Sequence, residues 1–325
     1  MTLPIPAETD WDKAPGLLDG AMNLDLSAEQ CNLAYWFRGV AQGTLRDRAE
    51  SGHTADEITP EHMRTDGPLR DAQILELGCR SIAEEEGTRA LAYYVAHATG
   101  IAEMDFFATQ LMDEARHSMV FRNHLVEMGI PADELRSTIT KLSADYKREV
   151  LDPILEFALR AVREEGDFIG AVAIFTIIIE GVLAPAAELS ERKWNLIDPA
   201  ASAIARGAAI DEIRHLTVGS SIVKQHLDRN PTYRDRLMDI ITRGRKLWDE
   251  IPDKKYIMER EHLFQEGMHQ HAHLIGDYEL FPGQRLLDTT AEERYATAER
   301  WTDKMAATRL AYMGLDEAIE ILRLT

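Results

Sequence analysis

Apolar residues recur at i, i+3, i+4 and i+7 along most of this chain, and few stretches alternate strictly enough for a strand. The pattern predicts helices over 27–49, 69–98, 102–129, 143–164, 166–192, 199–229, 231–249, 254–275 and 290–320. Ser27 and Gln30 have the spacing of a capping box for the first, and Gly129-Ile130-Pro131 stops the third. Pro60, Pro68, Pro131, Pro199, Pro252 and Pro282 fall at predicted boundaries, whereas Pro153 and Pro185 fall inside helical patterns. No Asn-Gly or Asp-Gly hairpin joins two alternating runs, and the segment 50–67 is polar and loop-like. The expected class is therefore all-α. Helices of about 28 residues are ~42 Å long, which suits a large bundle. No shift in composition divides the chain, so a single domain is expected over 1–325, with a core bundle at about 69–229 and C-terminal helices at about 231–320.

Composition narrows the partners. The 325 residues carry 36 Lys+Arg against 56 Asp+Glu, a formal charge of −20, which disfavours nucleic acid and anionic membrane surfaces. Cys31 and Cys79 alone make neither a disulfide framework nor a thiolate zinc site, and they suit a reducing compartment. The N-terminus has no basic region followed by an apolar stretch, and the longest apolar run, Phe168 to Ile179, falls short of the ~20 residues of a spanning helix. A cytoplasmic location with no membrane span is the expectation.

Two segments repeat one motif: Asp113-Glu-Ala-Arg-His117 and Asp211-Glu-Ile-Arg-His215. Glu and His three apart share a helical face and can reach one point. Each copy lies among apolar neighbours (Leu111, Val120 and Phe121; Ile210, Ile213 and Leu216), where ionisable groups need partners that a pair of metal ions would supply. A dinuclear carboxylate bundle also takes one Glu from each of two other helices. Glu180 follows the most apolar run of the chain and precedes Glu212 by 32 residues, so a hairpin turning near residue 196 sets the two level. The second acid is sought in Glu84-Glu85-Glu86, before a turn near Gly100. An inward face drawn through Ile74, Gly78, Ile82 and Ala92 points Glu85 and Glu86 inward, while Glu84 projects between Leu77, Leu91 and Val95. Hairpin spacing does not separate the three.

With these motifs, Ile82-Ala-Glu-Glu-Glu86, Thr109 to His117 with Val120-Phe-Arg122, Ile179-Glu-Gly-Val-Leu-Ala184 and Asp211 to His215, the chain resembles the R2-like ligand-binding oxidases. They belong to the ferritin-like superfamily of diiron-carboxylate proteins, with the ribonucleotide reductase small subunits. The resemblance covers roughly residues 70–230. It implies a ferritin-like, R2-like four-helix bundle core with flanking helices. By position in the Ile-Ala-x-Glu-Glu string it selects Glu85, and the implied metal ligands and catalytic residues are Glu85, Glu114, His117, Glu180, Glu212 and His215.

The departures from that family are specific. Phe121 stands where a radical tyrosine is usual in ribonucleotide reductase subunits, and Thr88 and Phe175 stand where the oxidases form a Val–Tyr cross-link. Ala208 stands where diiron arylamine N-oxygenases add a seventh, histidine ligand. Four carboxylates against two ferrous ions are charge-balanced, and the hard donor set suits iron or manganese. Asp113 and Asp211 are expected to accept from the His N–H groups of the opposite motif.

The expected activity is that of a non-heme diiron, O2-activating oxidase or oxygenase acting on a small organic molecule. The cofactor is two iron ions, Fe/Fe or Mn/Fe, with O2 as co-substrate and an external reductase or other electron donor. Among such enzymes, nitrogen oxidation of an amine or hydrazine in a biosynthetic pathway is narrowly favoured over C–H hydroxylation or desaturation of a hydrophobic ligand. A radical-generating subunit of a larger complex is the other reading. Thr88, Ala92, Phe121, Phe175, Thr176 and Ile179 are candidate pocket residues. The resemblance implies a homodimer. His269, His271 and His273 read as surface or packing histidines.

Overall fold

The computed structural model describes residues 4–324. Fifteen α-helices follow in order: α1 (Leu17–Asn23), α2 (Leu33–Arg38), α3 (Pro68–His97), α4 (Ile101–Glu127), α5 (Leu135–Tyr146), α6 (Asp152–Arg163), α7 (Phe168–Ala173), α8 (Gly181–Leu183), α9 (Pro185–Trp194), α10 (Pro199–Arg229), α11 (Arg234–Glu250), α12 (Asp253–Gln270), α13 (Ala272–Ile275), α14 (Ala291–Tyr312) and α15 (Asp316–Leu322). The one sheet among the described residues is a hairpin of β1 (Glu279–Phe281) and β2 (Gln284–Arg285). The all-α class holds.

The long helices start and stop where their chemistry dictates. Pro68 and Pro199 open α3 and α10 at positions where a missing N–H costs nothing, and the Asp198 side chain accepts from Ala201 N to cap α10. Gly129, at φ 92°, ends α4. α3 and α4 pack along their lengths as an antiparallel hairpin, and α10 packs against α4, α7 and α9. A continuous helical path from α7 to α9 carries a π-helical stretch, Ile174–Glu180, and a second, Lys147–Leu151, joins α5 to α6. These wider turns precede Pro185 and Pro153, the two prolines inside helical patterns. A wider turn makes room for a ring that would otherwise strike the carbonyl four residues back. The path Phe168–Trp194 is long and apolar enough to cross a membrane, yet 89% of its apolar window is buried in the protein.

Four expectations change. The region 27–49 is helical only over α2: the Gln30 side chain does accept from Ser27 N, but it closes a turn, and Asn32 caps the helix. The helix expected at 143 begins at Leu135. Pro282 and Gly283 (φ 76°) turn the small hairpin instead of bounding a helix. Gly314, at φ 75°, divides the last predicted helix into α14 and α15.

Candidate metal centre

Four helical segments meet at one buried point. Glu84 comes from α3, Glu114 and His117 from α4, Glu180 from the end of the π-helical stretch, and Glu212 and His215 from α10. Glu114, Glu180, Glu212 and His215 form one group whose donor atoms lie within 4.8 Å of one another, and Glu84, Glu114 and His117 form a second. Glu114 belongs to both, so the groups are adjacent. His215 Nδ1 lies 3.1 Å from Glu114 Oε1, 3.5 Å from Glu180 Oε1 and 3.7 Å from Glu212 Oε2. His117 Nδ1 lies 3.6 Å from Glu114 Oε2 and 4.0 Å from Glu84 Oε2.

Behind the imidazoles the repeated motif crosses over. His117 Nε2 meets Asp211 Oδ2 at 3.1 Å, and His215 Nε2 meets Asp113 Oδ2 at 3.3 Å. Each ring thus commits Nε2 to a carboxylate of the opposite motif and turns Nδ1 to the centre. Arg214 donates to both Asp113 and Asp211, Arg116 Nη2 donates to Asp211 at 3.2 Å, and Trp36 Nε1 donates to Asp113 at 2.8 Å. Every charged position of the repeat is used: the acids hold the rings, and the arginines hold the acids.

The centre itself is short of partners. Glu114 Oε1, His117 Nδ1, Glu180 Oε2, Glu212 Oε2 and His215 Nδ1 are buried and make no hydrogen bond. One orphaned buried polar atom costs on the order of 1–3 kcal/mol, so five aimed at one region are not an ordinary core. The electrostatics agree. Burial and Glu114 push the Glu84 carboxyl well above its usual range. Burial and Glu212 push Glu180 up to about 8, and burial raises Glu212. For Glu114 burial is outweighed by the close approach of Glu84, His117 and His215, which hold it well below the usual range. Burial also opposes charge on His117, but Asp211 and Glu114 hold the ring up to about 9. Four acids cannot all ionise here without cations. Oxygen and imidazole donors, in two adjacent groups sharing a carboxylate, fit two divalent metals of the iron or manganese type.

The structure brings Glu114, His117, Glu180, Glu212 and His215 together and leaves Glu85 out. Glu85 is half-buried on another face of α3, where it accepts from Arg89 Nη2 at 2.7 Å and Arg136 Nη1 at 3.2 Å. Glu84 takes its place. The buried stripe of α3 runs through Gln73, Leu77, Gly87, Leu91 and Tyr94. At 3.6 residues per turn that stripe passes through Glu84 and leaves Glu85 100° away. The inward face drawn from Ile74 and Ile82 was one residue off. Glu86 pairs with Lys147 at 3.4 Å.

Of the candidate pocket residues, Phe175 and Ile179 line a cavity of about 130 Å³ whose wall also includes Glu84, Glu114, Glu180 and Glu212. Ala92 is exposed, Thr88 lines a separate surface groove, and Thr176 is packed against Gly219. Phe121 is buried with its ring centroid 6.5 Å from that of His117, so no phenol occupies that place. His269 is exposed and His271 stacks on His62 at 4.9 Å, as packing histidines do. Neither a protein-family model nor any curated protein matches this chain.

Sequence reasoning missed three sets of residues. Gln110 donates to Glu180 Oε1 at 2.5 Å from one turn before Glu114. Arg80, Tyr146 and Arg260 line the same cavity, and only the helical register one turn before Glu84 pointed to Arg80. A separate cluster joins His53, His124 and Glu127, with Asp198 behind His124. Its signal was the His-x-x-Glu pair on α4, and the loop partner His53 had none.

Proposed function

We propose that this protein is a dinuclear metal-dependent oxidase or oxygenase of ferritin-like type, holding two iron ions, or manganese and iron, through Glu84, Glu114, His117, Glu180, Glu212 and His215. The observation that carries the reading is the convergence of five unpartnered buried donor atoms from three helical segments, with each imidazole oriented by an aspartate. When bound, such a pair supplies reductive activation of O2. In the oxygenase reaction a substrate, O2, two electrons and two protons give an oxygenated product and water. An external donor of those electrons belongs to the proposal.

The protein's own part is to hold and to exclude. Asp113 and Asp211 keep Nε2 of His215 and His117 protonated, which leaves Nδ1 as the donor. Gln110 fixes one oxygen of Glu180 and leaves the other free. Phe175, Ile179, Val182 and Leu183 give the adjoining cavity an apolar wall that keeps water sparse beside the reacting substrate. Oxidation of an amine or hydrazine nitrogen is the favoured reaction, with C–H hydroxylation or desaturation as the alternative in the same cavity.

The test is metal analysis of purified protein, followed by O2 consumption by the iron-loaded, reduced protein with and without candidate amines. Two metals per chain and amine-dependent uptake support the reading. Glu114→Ala and His215→Ala variants that retain full iron and full uptake overturn it.

A further inference from the structure

We infer that the cavity beside the metal centre takes a small organic acid and grips its carboxylate through Arg260, Arg80 and Tyr146. The inference rests on the proposed metal centre only in treating this cavity as its substrate chamber.

The first observation is a cation with no carboxylate in direct contact among the described residues. Arg260, on α12, makes no ion pair and no side-chain hydrogen bond with any described residue, and its Nε is buried without a partner. A guanidinium in a cavity wall with no carboxylate in contact keeps its fork open to a ligand. Its neighbours are already committed. Glu76 meets Arg80 Nη2 at 3.5 Å and Lys193 Nζ at 3.5 Å, and it accepts from Ser190. Glu261 accepts from Lys193 and, at 2.6 Å, from Arg294 Nε. Asp253 lines the same wall but stands beyond ion-pair distance of Arg260. Glu76 and Glu261 are thus shared among Arg80, Lys193 and Arg294.

The second observation is placement. Arg80, Asp253 and Arg260 line both the inner cavity, which reaches Glu114 and Glu212, and an outer one of about 600 Å³. They therefore stand where the two cavities meet. Tyr146 lines only the inner one, with Phe175, Ile179 and Leu183. Its hydroxyl donates to no described residue, which leaves it free for a ligand. Two guanidinium groups and a phenol offer the donors a carboxylate takes, in a fork geometry suited to it. The apolar remainder of such an acid then extends along Phe175 and Ile179 toward the metal ligands.

Calorimetric titration of metal-free and iron-loaded protein with butanoate, hexanoate and octanoate, against hexan-1-ol and hexylamine, tests the inference. At least one carboxylate is expected to bind both forms, with the alcohol and amine about tenfold weaker or worse. Arg260→Gln weakens the carboxylate about tenfold and leaves the alcohol unchanged, and Arg260→Lys recovers part of the loss. Tyr146→Phe, which removes one hydroxyl, weakens the carboxylate by a few-fold and keeps the inference testable if the arginine variants melt early. No binding of any of the three acids overturns it. So does binding that ignores Arg260→Gln, or that appears only with iron present, since the carboxylate would then sit on the metal. Failure of the metal reading is scored separately, by a Glu212→Ala variant that keeps its full iron. That result leaves Arg260-dependent binding to the metal-free protein intact.

Discussion

His215 Nε2 faces Asp113 Oδ2 at 3.3 Å across 102 residues of chain, and His117 makes the mirror contact with Asp211 at 3.1 Å. The two copies of the motif support each other, and neither builds its half of the centre alone. Asp113→Asn removes the charge that polarises His215, while Arg214 keeps Asp211 as a partner. Metal affinity is expected to fall about 10–100-fold. Iron titration followed against a chelator reads it, and unchanged affinity would remove Asp113 from the design.

Glu84→Ala and Glu85→Ala separate the two readings of the first acid. Glu84 is turned to Glu114 and His117, so its loss leaves one metal position short of a carboxylate, and metal content drops from two toward one per chain. Glu85 is paired with Arg89 and Arg136, both largely exposed, so its loss is expected to shift stability by no more than about 1 kcal/mol and to leave metal content alone. Metal analysis and thermal melts of the two variants decide between them.

That one-residue difference marks what the sequence carried. Long helices and the level placement of Glu180 with Glu212 were legible, because both follow from periodicity and hairpin length, and the turn between α9 and α10 lies where the arithmetic put it. The crossed aspartates were legible because the motif is repeated. The face of α3 was not. A helix packed against α4, α5 and α12 is covered on several sides, and a string of three glutamates gives no contrast in polarity. Borrowing the register of a similar string then fixed the wrong residue. Arg260 and His53 lie far from the motifs in sequence and reach their sites only through packing, so no local pattern announced them.

Glu180 makes the metal-free protein sensitive to pH. Burial and Glu212 raise its pKa from the ordinary 4.5 to about 8. Between those values the folded state holds a proton that the unfolded state has lost, so stability falls as pH rises through the window. Glu180→Gln keeps the acceptor for Gln110 and removes the charge. The metal-free variant is expected to melt above metal-free wild type, with the gap widening from pH 5 to pH 8. With iron added, the order reverses, since wild type alone keeps the ligand. Melts at pH 5 and 8, with and without metal, check both signs. A gap independent of pH would mean Glu180 carries no such strain.

A second ionic cluster pins the loop before α3 to the end of α4. His53 Nε2 meets both oxygens of Glu127 at 3.1 Å, His124 Nδ1 meets Glu127 Oε2 at 3.2 Å, and His124 Nε2 meets Asp198 Oδ2 at 2.9 Å. Thr59 Oγ1 adds a bond to Glu127 at 3.0 Å. Burial opposes charge on His124, but Asp198 and Glu127 outweigh it and hold the ring up to about 9; Glu127 is held well below its usual range, because His124 and His53 outweigh its own burial. A histidine with a raised folded pKa contributes in full below its unfolded value near 6.5 and loses that contribution as pH climbs through about 9. Glu127 contributes above its unfolded value near 4.5 and loses it as pH falls toward its depressed folded one. The clamp is therefore strongest between pH 4.5 and 6.5 and releases on the alkaline side first. Limited proteolysis of the segment 48–60 is expected to accelerate above about pH 9, and Glu127→Gln is expected to give the fast rate already at pH 7. Equal cleavage of wild type at pH 6 and pH 9.5, corrected for protease activity, would show that charge on these histidines does not hold the loop.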